Sequence, residues 1–280
     1  MDENARKAAF AGKFYPGNKA DIEKLIQRLL KAEENKMSTQ ESFSGIIGGV
    51  VPHAGYVYSG YEAVHFYQQL KNSRQHIDTV VIVNPNHTGL GKGNFNLSNA
   101  STWETPMGEV HCDKEFAQLL QIEAYEAAHI YEHSAEVQIP FLQYFIENPF
   151  KIVVVTMNIQ NEESARQLAT KIFKAAQVSN KKIIVLASSD FSHYESAKIS
   201  KFKDEILIEQ ILNLDSKGIA SKVKKHFISA CGYGPCMVLA KYATLCSEKP
   251  RTTLLRYGNS GEVQASEKVV AYASILFYSE

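Results

Sequence analysis

Thr79–His87 reads TVVIVNPNH, and its composition decides the class of fold. The first five residues are all β-branched and show no polar alternation, which is how a strand buried on both faces of a parallel sheet reads. Pro85 then ends the ladder by removing a donor, and His87 follows at once. Two more runs have the same design. Gly45–Val51 (GIIGGVV) leads into Pro52-His53-Ala54-Gly55-Tyr56, and Lys182–Ala187 (KIIVLA) leads into Ser188-Ser189-Asp190-Phe191-Ser192-His193. Lys151–Met157 (KIVVVTM) is a further buried strand.

Helical patterns alternate with these strands, at about 19–31, 60–70, 114–121, 135–147, 162–177 and 197–214. Strand–helix alternation of this kind predicts an α/β fold with a central, mostly parallel sheet flanked by helices. No linker divides the chain, so residues 1–280 are expected to form a single domain. The polar stretch Glu34–Ser44 reads as a loop, and the Gly/Asn-rich stretch 84–99 as holding a hairpin. Near the C-terminus, Arg251–Tyr257 and Lys268–Tyr278 read as antiparallel edge strands turning through Gly258–Gly261.

Composition narrows the function classes. The 280 residues are 45% hydrophobic and 21% charged, with 30 basic and 30 acidic side chains. This is the balance of a globular protein, with no global charge to draw nucleic acid or an anionic membrane surface. No apolar run approaches the roughly 20 residues of a membrane span. The first residues lack an apolar signal core. Four cysteines are too few for a disulfide scaffold, so free thiols and a cytoplasmic location are expected.

In an open α/β sheet, ligands bind beyond the carboxyl ends of the strands. Three strands here deliver His53, His87 and His193 to that end, a placement suited to metal ligation or acid–base work. Cys231 lies in Cys-Gly-Tyr-Gly-Pro-Cys, a tight turn just ahead of an apolar helix, where the helix dipole favours thiolate. Cys112, Cys236 and Cys246 read as packing residues. Two imidazoles with one thiolate or carboxylate make a three-ligand site with open positions, suited to zinc, non-haem iron or copper. Asp190, three residues before His193, is placed to bond that imidazole and raise its basicity. In Glu132-His133-Ser134-Ala135-Glu136, Ser134 reads as a helix N-cap and His133 as a pocket residue, and Tyr56 is expected to line the same pocket. A P-loop, a Rossmann fingerprint and a nucleophile elbow are all missing.

The runs FAGKFYPG, PHAGYVYSG, VNPNH, WETPMGEVHCD, EHSAEVQIPFLQ, SSDFSHY and ACGYGPC, in this order from about Arg6 to Tyr278, resemble the MEMO family. Its prokaryotic members are called AmmeMemoRadiSam system protein B. The resemblance implies a fold similar to the class III extradiol ring-cleaving dioxygenases, which hold non-haem iron with two histidines and a glutamate. On that likeness His53 and His87 match metal ligands, and Cys231 stands in the glutamate's place. Asp190 and His193 match the run that borders the pocket, His193 as acid–base. A thiolate in place of a carboxylate argues against ring cleavage and for another redox or metal-handling role with iron or copper, zinc being a further option. The alternative is a non-enzymatic module that seats a peptide or protein partner in the same pocket. Animal members imply phosphotyrosine-segment binding, and prokaryotic ones a link to radical-SAM and AMMECR-type proteins.

Overall fold

The computed structural model describes residues 4–37 and 43–279, so the expected loop at 34–44 lies partly outside the described residues. A short strand β1 (Ala5–Arg6) precedes α1 (Lys19–Glu33), capped by Asn18, whose side chain accepts from Asp21 N. β2 (Ile46–Val51), α2 (Tyr56–Ser73) and β3 (Thr79–Pro85) make the first strand–helix–strand unit. β4 (Phe95–Leu97) is followed by the hairpin β5 (Thr102–Thr105) and β6 (Gly108–His111). Next come α3 (Lys114–Leu119), α4 (Ala127–Ile130), α5 (His133–Glu136) and α6 (Gln138–Phe145). β7 (Lys151–Met157), α7 (Glu162–Ser179), β8 (Ile183–Ser188) and β9 (His193–Glu195) continue the alternation. The chain closes with α8 (Ala197–Leu212), α9 (Ser216–His226), α10 (Tyr233–Cys246), β10 (Pro250–Asn259) and β11 (Val269–Ser279).

The main sheet has the order β10-β11-β2-β8-β3-β7-β4, with β9 pairing β11. Its centre, β2-β8-β3-β7, is parallel, and the strands beyond it on both sides pair antiparallel. The unalternating strands are buried on both faces. Val81 and Val83 of β3 join the apolar cluster built with α7, α8 and α10, while Val80 and Ile82 join the one built with α1, α2 and α6. Gly48 and Gly49 of β2 are required by packing: a Cβ would lie 1.9 Å from Val185 O at the first and 2.2 Å from the Phe66 ring at the second.

Three local expectations are corrected. The stretch 84–99 holds no hairpin; β4 instead pairs antiparallel with β7, and the hairpin is β5–β6. The intervening loop closes through asparagines, with Asn86 Oδ1 accepting from Thr88 N and Gly89 N and Asn158 Nδ2 donating to Lys92 O. The expected helix 135–147 begins earlier and in two pieces, α5 and α6. Its cap is Glu132, not Ser134, because the longer side chain accepts from Ser134 N at 3.0 Å. The β10–β11 connection begins later than Gly258: β10 runs to Asn259, and a 3-10 turn at Ser260–Glu262 follows.

Candidate functional site

The register of the parallel centre sets where the site forms. Val51 of β2 pairs Ser188 of β8, and Val83 of β3 pairs Ala187, so the residues after these strands emerge along one edge. His53 lies two residues beyond β2, His87 two beyond β3, and His133 opens α5. One ligand nitrogen from each of the three falls within 4.8 Å of the others. Their ring centroids are 5.2 Å (His53–His87), 5.3 Å (His53–His133) and 4.7 Å (His87–His133) apart.

Neighbouring groups decide which nitrogen of each ring is free. Ser188 Oγ donates its one hydrogen to Ser134 O at 2.7 Å, because a carbonyl can only accept. It must therefore accept from His53 Nδ1–H at 2.8 Å and from Gln138 Nε2 at 2.9 Å. Gln138 is in turn oriented by donating to Pro52 O and accepting from Tyr67 Oη. His53 thus carries its proton on Nδ1 and its lone pair on Nε2. His87 is held in a similar way: Glu132 accepts from His87 N at 2.7 Å and from Nδ1 at 2.9 Å, which fixes the Nδ1 hydrogen toward the carboxylate. Burial works against ionising Glu132, but hydrogen bonds from His87 and Ser134 outweigh it and bring the carboxyl down to about 2.

Burial, and next to it the neighbouring imidazoles, holds His53 well below the usual histidine range and pushes His133 down to about 3. Both rings are neutral at pH 7, the form in which imidazole binds metals. Phe10 and Phe14 wall the far side of His133, with centroids 5.6 Å and 4.5 Å from it.

Cys231 meets the cluster at His53, its Sγ 3.0 Å from Nε2. The lone pair on Nε2 makes the thiol the donor in this contact. The expected depression of its pKa by the helix dipole does not hold: burial first, then the Asp190 carboxylate, push the thiol well above the ordinary range. Asp190 also differs from expectation. It does not bond the His193 imidazole; Oδ1 accepts from His53 N at 2.7 Å and Ala54 N at 3.3 Å, and Asp190 N donates to Cys231 Sγ at 3.3 Å. It braces the backbone that carries His53. The His193 ring contacts Ser229, with Nδ1 3.0 Å from the carbonyl, since β9 carries it across to β11. The third ring beside His53 and His87 is therefore His133 rather than His193. Tyr56, expected at the pocket, is turned into the core, where its ring stacks on Phe141 and its hydroxyl donates to Val137 O. Glu132, Ser188 and Gln138 were missed as orienting groups. An acid directly before a histidine, in Glu132-His133, was the available signal for the first, although the ring it orients is that of His87.

Residues 6–276 match the family described as Memo-like protein. A MEMO1 family protein of Methanococcoides burtonii is 39% identical over 97% of this chain and 99% of its own length. One from Sulfurisphaera tokodaii is 39% identical, again over 97% of this chain and 99% of its own. One from Methanocaldococcus jannaschii is 39% identical over 97% and 98%. Among solved structures, an uncharacterized protein from Escherichia coli K12 covers 76% of this chain and 91% of its own at 15% identity and TM-score 0.40. The strand order, not that loose likeness, defines the fold. No described helix is long and apolar enough to cross a membrane.

Proposed function

This chain belongs to the Memo-like protein family, and from that premise we propose that it is a transition-metal protein with a redox or metal-handling role. The ion is iron or copper, with zinc a third candidate. His53, His87 and His133 hold it, and Cys231 stands by as a sulfur donor beside His53. The observation that supports the reading most is the convergence of the three imidazoles, with ligand nitrogens within 4.8 Å of one another.

The donor set fits such an ion. Three histidines offering nitrogen donors suit a first-row transition metal better than magnesium or calcium, which take oxygen ligands. Outer hydrogen bonds of the kind Glu132 and Ser188 make fix the tautomer of a metal-binding imidazole and raise its basicity. Iron or copper, when bound, would supply one-electron chemistry; the protein's part is to hold the nitrogens. Cys231 would give up its contact with His53 Nε2, since one lone pair cannot serve both a thiol proton and a metal. None of the three rings brings a negative charge, and Glu132 is engaged by His87. This separates the site from the iron centres of ring-cleaving dioxygenases, whose ligand set includes a carboxylate.

The test is titration of Fe2+, Cu+ and Zn2+ into metal-free protein under anaerobic conditions. His87→Ala should weaken binding by more than about 100-fold, beyond the loss typical of an outer hydrogen-bonding partner. His133→Ala should cost more than Cys231→Ser. The opposite order would put sulfur in the third place, as the sequence suggested. A folded protein that takes up none of these ions would overturn the metal reading and leave the partner-binding one.

A further inference from the structure

The N-terminal run FAGKFYPG plays no part in the chemistry above, yet the segment around it touches both sides of the histidine cluster. Arg6, 5% exposed, sits at its root. Nε donates to His129 O at 3.1 Å, and Nη2 donates to Glu132 O at 3.0 Å and Ile130 O at 3.3 Å. Nη1 donates to Lys7 O and pairs with the Glu136 carboxylate. The guanidinium also lies 4.3 Å over the Trp103 ring, beside the β1–β5 pairing. One planar cation thus gathers the carbonyls at the end of α4, the Glu132 backbone and the acid at the end of α5. No single ammonium or neutral side chain can match that set of donors.

Glu136 ties down the rest of the segment. It accepts from Ala9 N at 3.1 Å, Phe10 N at 2.9 Å and Tyr15 Oη at 2.6 Å. Phe10 and Phe14 then lie against His133, and Phe14 O accepts from Tyr56 N at 2.8 Å, in the turn that follows His53. The turn gripped by Arg6 is the one that presents both His133 and the Glu132 carboxylate to which His87 is bonded.

We propose that the N-terminal arm, residues 5–15, is a positioning device for the histidine cluster, with Arg6 as its principal residue. Arg6 touches none of the three imidazoles. It acts through Glu132, which selects the Nδ1–H tautomer of His87, and through the placement of His133. The inference rests on the metal reading only in its choice of affinity as one of two readouts.

The experiment compares the whole protein with Arg6→Lys, Arg6→Met, Glu132→Gln and Lys181→Met. The last removes a comparable ion pair, Lys181 with buried Asp113, at the opposite end of β3, where Asp113 also accepts from Thr79 Oγ1. The readouts are the 15N shifts of the His87 ring, which report its tautomer, and the affinity for Zn2+ alone, measured by competition with a chromophoric chelator. Wild type should show His87 as a single Nδ1–H tautomer. Glu132→Gln and Arg6→Met should mix the tautomers and weaken Zn2+ binding roughly 10- to 100-fold, with Arg6→Lys between them and wild type. Lys181→Met should lower the melting temperature and change neither readout. If Arg6→Met does not fold, Arg6→Lys decides through the same two readouts. Unchanged tautomer and affinity in a folded Arg6 variant, or an unchanged tautomer in Glu132→Gln, would overturn the proposal. A tautomer shift in a protein that binds no Zn2+ would support the positioning role and count against the metal reading instead.

Discussion

His53 shows how much of the site hangs on single atoms. Its ring proton is placed by Ser188, its backbone by Asp190, and its Nε2 meets Cys231. The Asp190 carboxylate is buried at 4% exposure and accepts from two backbone N–H groups. Burial raises its pKa and the His53 N–H bond works the other way. Asp190→Ala would leave those donors unpaired, at roughly 1–3 kcal/mol for each buried group. The expected loss is therefore about 2–6 kcal/mol in urea unfolding, with Asp190→Asn, which keeps an acceptor oxygen, costing clearly less. Equal losses in the two variants would mean that the charge, not the acceptor, matters. The sequence marked Asp190 as important from its place after a strand, but which group it braces depends on a residue 137 positions away in the chain.

At the scale of elements, β2 is closely held by its neighbours. It lies between β11 and β8, and its two glycines bring it close to its neighbours. Gly48→Ala would set a Cβ 1.9 Å from the Val185 carbonyl oxygen, a backbone atom that cannot turn aside. Destabilisation of about 3 kcal/mol or more is expected, since overpacking against a fixed neighbour is among the costlier substitutions. Gly60→Ala, in α2, meets only the end of the Leu29 side chain and gains helix propensity, so it should stay within about 1 kcal/mol of wild type. Denaturant melts of the pair test the contrast, and similar losses would show that β2 moves freely against β8. The strands were legible because burial on both faces leaves an unbroken β-branched run. The early start of α5 was not, because it depends on Glu132 serving at once as cap and as partner of His87.

The whole molecule is poised near neutrality, with 30 basic and 30 acidic side chains, so individual buried acids shape its pH response. Asp204 in α8 is fully buried and accepts from Ser192 N, Ser192 Oγ and Tyr257 Oη. Burial pushes its pKa up to about 6, against the pull of the Ser192 bonds. The unfolded value lies near 3.9, so between about pH 4 and 6 the folded state binds the proton and the unfolded state does not. This contribution is present in full below about pH 4 and is lost as pH rises to about 6, on the order of 3 kcal/mol. Relative to wild type, Asp204→Asn should therefore gain stability between pH 4 and pH 7 in urea unfolding at each pH. A constant difference across that range would show that Asp204 is ionised in the folded protein throughout.

From residues alone, the chain already determines a parallel sheet centre, an antiparallel C-terminal edge, and the delivery of His53 and His87 to one end of the strands. Those features follow from local rules: unbroken β-branched runs bury on both faces, and prolines stop ladders. Family membership was equally legible, in the order of seven short runs. Tertiary structure alone decided that His133 joins the two strand histidines and His193 does not, since α5 packs beside β3 while β9 pairs with β11. It also set the surroundings of Cys231, because desolvation depends on everything packed around a thiol, and here burial and then the Asp190 carboxylate raise its pKa. Tautomers belong to the same category. A histidine in a sequence has two equivalent choices, and only a carboxylate or hydroxyl brought up from elsewhere in the fold, as Glu132 and Ser188 are, selects one.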